Sequence, residues 1–112
     1  MHALTLAQYQ VASARTLAGR DTHAKLVAAL GLCGEAGEVA ELLKKAYGHG
    51  HELDKVALAK EIGDVLWYLA AIATLHNIDL EQAAKDNVEK LRRRYPDGFS
   101  HEASKARKDV TP

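Results

Sequence analysis

Apolar residues recur at helical spacing along four stretches of the chain, separated by short polar or glycine-bearing breaks. The first stretch predicts a helix from about Leu6 to Leu17, with Leu6, Tyr9, Gln10 and Ser13 on successive turns and Gly19 closing it. After GRDTH, Asp21 or Thr22 is placed to cap a second helix reaching about Tyr47, with Leu26, Leu30, Cys33, Leu42 and Leu43 on its buried side. A third runs from about Leu53 to His76 and carries Leu58, Ile62, Val65, Leu69 and Ile72 as a core stripe. Between Ile62 and Leu75 its only charged residue is Asp64, so it is apolar almost all the way round and is expected to be buried. Asp79, followed three residues later by Gln82, forms a capping-box pattern for a fourth helix, which buries Leu80, Ala84, Val88 and Leu91 and ends near Arg94 at Tyr95-Pro96-Asp97-Gly98.

These elements predict an all-α domain, a four-helix bundle over residues 1–99, with a polar tail over 100–112 that is either a short helix or disordered. Ala and Leu are prominent and only 5% of residues are aromatic, which favours helices over sheet. A chain of 112 residues has little core for its surface, so the bundle is expected to complete that core as a homo-oligomer, a dimer or a tetramer. Glu61 and Asp64 interrupt the longest apolar run, which argues against a membrane span. MHALTLAQYQ lacks the layout of a secretion signal, so a cytoplasmic location is expected. Formal charge is zero, giving no reason to expect nucleic acid. The lone Cys33, among apolar neighbours, is expected to pack as a small hydrophobe.

Two acid pairs stand out against this background: Glu35 with Glu38, and Glu61 with Asp64, each spaced three apart and so each on one helix face. In two antiparallel helices joined by a short turn, residues whose numbers share a sum lie at the same height. Residues 38 and 61 share the sum of 35 and 64, so the pairs face each other if the chain reverses within YGHGHELD. Four converging carboxylates repel one another unless protons or a cation intervene, and an all-oxygen ligand set suits magnesium or manganese. Gly31, Gly34 and Gly37 recur through the same helix at a cost of about 1 kcal/mol each relative to alanine, which calls for a compensating reason such as close helix approach. GLCGEAG lacks the Gly-Lys-Ser/Thr ending of a phosphate loop, His49 and His51 have no partners at zinc spacing, and neither acid pair has the Glu-x-x-His spacing of a di-iron bundle.

Basic residues predominate from Lys85 to Lys108. Asn87, Lys90 and Arg94 share a stripe of the fourth helix, which antiparallel pairing with the third would set level with Tyr68 and the acids. Lysine and arginine beside a magnesium site are what a polyphosphate requires, although basic residues at a helix C-terminus also simply favour its dipole. Lys45, two turns beyond Glu38, is a further phosphate candidate. Tyr68 and His23 lie towards the end where a base could stack or hydrogen-bond, and Trp67 is expected in the core or at a subunit contact.

GEAGE, KEIGDVLWYL and NVEKLRRRYPDGF, taken as an ordered set, resemble the MazG-type all-α nucleoside triphosphate pyrophosphohydrolases, especially the small single-domain forms that include the dCTP pyrophosphatases, over roughly His23 to Phe99. The resemblance implies magnesium ligation by Glu35, Glu38, Glu61 and Asp64, and base contacts by Tyr68 and His23. Gly34 stands where larger relatives carry another glutamate, and Gly19 and Lys45 stand where an aromatic clamp would be looked for. It further implies Mg2+-dependent hydrolysis of a nucleoside or deoxynucleoside triphosphate to monophosphate and pyrophosphate, as in nucleotide-pool cleansing. Glu38 or Glu41 would orient the attacking water, and Lys90 and Arg94 would neutralise the leaving pyrophosphate. Two other readings fit the residues: an enzyme similar to phosphoribosyl-ATP pyrophosphohydrolase, or a non-catalytic helical assembly module whose acids hold a structural ion.

Overall fold

The computed structural model describes residues 3–110, and the outermost residues of the expected domain and tail lie outside them. The described residues form five helices: α1 (Leu6–Ala14), α2 (Thr22–Gly48), α3 (Lys55–Leu75), α4 (Leu80–Arg94) and α5 (His101–Ala106). Side-chain caps set where they begin. Thr5 and Gln8 form a reciprocal capping box at α1, Asp21 accepts the Ala24 N–H at 2.9 Å, and Asp54 accepts from Val56 and Ala57. Asp79 accepts from Gln82 N–H at 3.1 Å, but the Gln82 side chain turns to Asp86 instead, so only half of the expected box forms.

α1 stops three residues short of the expected Leu17. The Thr16 hydroxyl donates to the Ser13 carbonyl at 2.8 Å and the chain tightens through Thr16 N–H to Ser13 and Leu17 N–H to Ala14, which closes the helix. α3 ends in a Schellman motif: Asn77 takes a left-handed φ of 56°, and Ile78 N–H bonds the Ala73 carbonyl at 2.8 Å. Gln10 of α1 fastens the turn that follows, donating to the Ile78 carbonyl and accepting from the Leu80 N–H.

The α2–α3 hairpin is the most extensive contact, α1 lies along α3, and α4 packs on α1 while touching α3 only slightly. Buried residues are small and concentrated near the open end of the hairpin: Ala28 on α2 with Ala70, Ala71, Ala73 and Leu75 on α3. Half of the core expected on α2, α3 and α4 is exposed and the other half only partly buried. Leu30 is 64% exposed and Ile62 54%, and Leu26, Leu69, Val88, Leu91 and Cys33 are exposed too. The radius of gyration is 17.2 Å, against about 13 Å for a compact domain of this length. The accessible surface is 8423 Å², against roughly 6,000 Å² for a compact monomer of this mass. The all-α architecture is as the periodicity predicts, while the apolar faces of α2 and α3 stay open in the protomer. Among the described residues, no helix is long and apolar enough to cross a membrane.

In the tail, Ser100 caps α5 and Asp109 folds back onto α4. Arg94 holds the covered Asp109 carboxylate through two hydrogen bonds, Nε to Oδ1 at 2.8 Å and Nη2 to Oδ2 at 2.7 Å.

Candidate metal centre and adjoining pocket

The hairpin brings Glu35 of α2 together with Glu61 and Asp64 of α3, one carboxylate oxygen of each lying within 4.8 Å of the others. Glu61 and Glu35 are half-buried, whereas Asp64 faces solvent. The Glu61 Oε2 atom is buried without a hydrogen-bond partner. Glu35 is held above the usual carboxylate pKa, chiefly because its carboxyl shares a hydrogen bond with Glu61, then by desolvation, then by the charges of Glu61, Asp64 and Glu38. The donor set fits a hard divalent ion: all oxygen, convergent, open on the Asp64 side and with one oxygen already stripped of partners. Glu38 is exposed one turn further along α2 and adds its charge to Glu35, but it lies outside the three-carboxylate cluster.

The other expected residues divide into two groups. Glu41 is ion-paired with Lys44 at 3.0 Å and Lys45 at 3.8 Å, and the Lys44 hydrogen bond foremost holds its carboxyl below the usual range. Lys45 is thereby partnered within its own helix. Arg94 is engaged by Asp109, and the slight α3–α4 contact means that the pairing which would set Asn87, Lys90 and Arg94 level with Tyr68 and the acids is not formed within the protomer. His23 and Tyr68, by contrast, do come together.

They line a cavity of about 320 Å³ with Thr16, Gly19, Asp21 and Trp67, floored by Ala28 and Ala71. The cavity and the acids share one seam. Tyr68 follows Asp64 by four residues on α3 and Gly31 precedes Glu35 by four on α2, a separation of about 6 Å along each helix. At that level the Tyr68 ring lies over Gly31, where a Cβ would overlap it. Close approach therefore accounts for Gly31, while Gly34 and Gly37 face open space.

Two residues have roles that escaped the sequence reading. Trp67, expected in the core or at a subunit contact, is half-buried against the core cluster as expected and also lines the cavity, a role that was not foreseen. Its indole N–H donates to the Thr16 hydroxyl at 2.7 Å, and its ring meets Tyr68 edge-on, centroids 5.0 Å apart. The signal available was its adjacency to Tyr68, but the wall that turns it into a pocket residue is the non-helical segment after α1. Tyr9 of α1 titrates above its ordinary value, through burial first and then through the charge of Asp64. Nothing beyond its place on the inner stripe of α1 pointed there.

The comparisons agree with this geometry. The family model for the MazG nucleotide pyrophosphohydrolase domain matches residues 22–99. dCTP pyrophosphatase 1 of Mus musculus is 40% identical over 73 residues, covering 60% of this chain and 43% of that protein. The Homo sapiens protein of the same name is 37% identical over 82 residues, covering 68% of this chain and 48% of that protein. Gene 37 protein of Mycobacterium phage L5 is 36% identical over 69 residues, covering 58% of this chain and 60% of that protein. The chain thus spans less than two thirds of the length of these relatives, and no solved structure matches it. With the match running from the first residue of α2 to the end of the segment after α4 and including all three clustered acids, the chain belongs to the MazG nucleotide pyrophosphohydrolase domain family.

Proposed function

We propose that the protein hydrolyses a nucleoside or deoxynucleoside triphosphate to the monophosphate and pyrophosphate. The observation that carries the reading is the convergence of Glu35, Glu61 and Asp64, with an unpartnered Glu61 oxygen, one helical turn along α3 from a residue of a largely apolar pocket. The base enters the pocket beside Tyr68 and His23, and the triphosphate extends along the seam to the acids. The names of the relatives make dCTP the first substrate to try.

Glu35, Glu61 and Asp64, with Glu38 beside them, hold Mg2+, for which Mn2+ can substitute. The ion supplies charge neutralisation for the triphosphate. Glu38, exposed and outside the cluster, orients a water for in-line attack on the α-phosphorus. The new bond joins the water oxygen to that phosphorus, and the anhydride bond to the β-phosphate breaks. Glu41 is the second candidate for this task, once released from Lys44 and Lys45. Those two lysines are then free for the distal phosphates.

The exposed apolar faces of α2 and α3 support a homo-oligomer, dimer or tetramer, in which another copy covers them. Assembly also gives Asn87, Lys90 and Arg94 a route to the phosphates, from the α4 of an adjoining copy.

The test is pyrophosphate release from a panel of nucleotides under magnesium titration, with phosphoribosyl-ATP included. Asp64→Ala and Glu38→Ala are expected to abolish release while leaving the oligomer folded. Near-normal turnover in Asp64→Ala would overturn the assignment. Magnesium binding without turnover of any substrate would instead make the protein a metal-binding assembly module.

A further inference from the structure

Thr16 and Trp67 make a contact that the proposed chemistry does not require. The Thr16 hydroxyl donates to the Ser13 carbonyl at 2.8 Å and accepts the Trp67 indole N–H at 2.7 Å, so its donor is spent and one of its two lone pairs is taken. The indole's single donor is spent as well. Neither group has a donor left to offer a ligand, and what Trp67 presents to the cavity is ring surface held upright by its edge contact with Tyr68. Polar selection falls to Asp21 and His23. Asp21 uses Oδ1 on the Ala24 N–H and keeps a second carboxylate oxygen.

The hydrogen bond does have a mechanical consequence. Residues 16–19 form one wall of the cavity and belong to no helix, whereas Trp67 stands on α3, the most enclosed helix of the protein. The bond ties the loose wall to the rigid one across 51 residues of sequence. At about 320 Å³ the cavity is near the lower end of ligand pockets. A small change in wall position therefore changes what fits.

We infer that Trp67 and Thr16 form a latch that fixes the width of the base pocket and so discriminates single-ring from two-ring bases. Both act as positioning residues, and the inference rests on the functional reading above. Without the latch the 16–19 segment relaxes outward, the pocket admits a purine more readily and grips a pyrimidine less well. Chemistry at the acids is untouched, so the effect falls on KM and not on kcat.

The experiment compares kcat/KM for pyrimidine and purine deoxynucleoside triphosphates in the full chain and in Thr16→Val, Trp67→Phe and the double variant. Thr16→Val removes the hydroxyl at nearly constant shape, and Trp67→Phe removes the N–H together with part of the ring that lines the cavity. Losing one hydrogen bond corresponds to roughly a three- to tenfold fall in the pyrimidine-to-purine ratio in Thr16→Val. Adding Thr16→Val to Trp67→Phe is expected to lower the ratio no further, because the bond is already broken. Thr16→Ser, which keeps the hydroxyl, restores the ratio. An unchanged ratio in Thr16→Val, additive losses in the double variant, or failure of Thr16→Ser to restore the ratio would overturn the latch. Trp67 is the only tryptophan of the chain, so its fluorescence reports pocket occupancy without turnover. If no triphosphate is hydrolysed, the functional reading fails on its own. The latch is then judged by fluorescence titration of the wild type, Thr16→Val and Thr16→Ser with deoxycytidine and deoxyguanosine monophosphates: the same three- to tenfold loss of preference supports it, and no loss or no quenching by either nucleotide refutes it.

Discussion

Gly31→Ala is the substitution for which two effects of similar size and opposite sign can be set against each other. In a helix interior alanine is favoured over glycine by about 1 kcal/mol. At residue 31, however, the new Cβ would overlap the Cε1, Cζ and Cδ1 atoms of Tyr68. The ring cannot simply pivot clear, because it is half-buried and set edge-on against Trp67 at 5.0 Å. Overpacking of this kind costs about 1–3 kcal/mol, leaving a net destabilisation of about 0–2 kcal/mol, or a fall in Tm of up to several degrees.

A cycle with Tyr68→Ala separates the two effects. Once the ring is gone, residue 31 has room for the methyl, and Gly31→Ala is expected to stabilise the protein by about 1 kcal/mol. The sign of one substitution thus reverses with the identity of a residue 37 positions away, a coupling of about 1–3 kcal/mol. Thermal melts of the four proteins at one fixed protein concentration provide the reading, since self-association would raise every Tm with concentration. If Gly31→Ala stabilises to the same degree in both backgrounds, the ring does not lie against α2 and the account of Gly31 is wrong. The same variant should raise KM for nucleotide, because a displaced Tyr68 intrudes on the cavity.

Other outcomes follow from the charges and the open faces. The folded-state pKa of Glu35 is raised above its ordinary 4.5, so the folded protein holds protons more tightly than the unfolded chain there. With divalent ions chelated, melting temperature should therefore decline as pH rises through and above that value. Added Mg2+ or Glu35→Gln should flatten the decline, and a flat profile in chelator would contradict the raised pKa of Glu35. Asp109 behaves oppositely: the Arg94 hydrogen bonds foremost, then Arg107, hold its carboxyl well below the usual range. Its contribution is present above pH 3.8, the ordinary value, and is lost as pH falls below it. Asp109→Asn should release the tail at neutral pH, seen as faster amide exchange over residues 100–110 without loss of α2 and α3 protection. Leu30→Glu or Ile62→Glu, on exposed apolar faces, should shift the species seen by light scattering from oligomer to monomer, and an unchanged mass would show that assembly uses another surface.

The sequence was most readable where one local rule decides the outcome. Asp21, Asp54 and Asp79 mark helix starts because a short carboxylate can take a backbone N–H at that position whatever packs nearby. Matching the acid pairs by height succeeded for Glu35 and Asp64 because α2 and α3 are long, joined by a short turn and in contact along their length. Carried over to α3 and α4 it failed, since a short connection does not oblige two helices to lie side by side, and α4 packs on α1. The leucines of α2 show a different limit. Periodicity identifies a face that water should not touch, but it does not say which chain covers that face. The core packing of Trp67 was legible but its place in the cavity was not, because that wall is made by residues 16–19, whose path no periodicity describes.

The unfavourable local choices of this chain fall along one stretch of the hairpin. Gly31, Gly34 and Gly37 forgo about 1 kcal/mol each of helix propensity, and Glu35, Glu61 and Asp64 crowd like charges where two of them are half shielded from water. The unpartnered Glu61 oxygen carries a further penalty of about 1–3 kcal/mol. Alanines and leucines at the same places would make a steadier hairpin, as they do at its other end, where Ala28, Ala71 and Leu75 form a buried apolar cluster. Tyr68 marks the border between the two regimes, and of Gly31, Gly34 and Gly37 only Gly31 gains something in return, by letting that ring approach α2 closely. A helix pair assembled only for stability has no reason to keep carboxylates opposed beside an apolar cavity. Sequences that break local rules in one place and obey them elsewhere usually do so where a ligand completes the set of interactions, and the proposed metal ion and nucleotide would bring positive charge to the acids and a ring to the pocket.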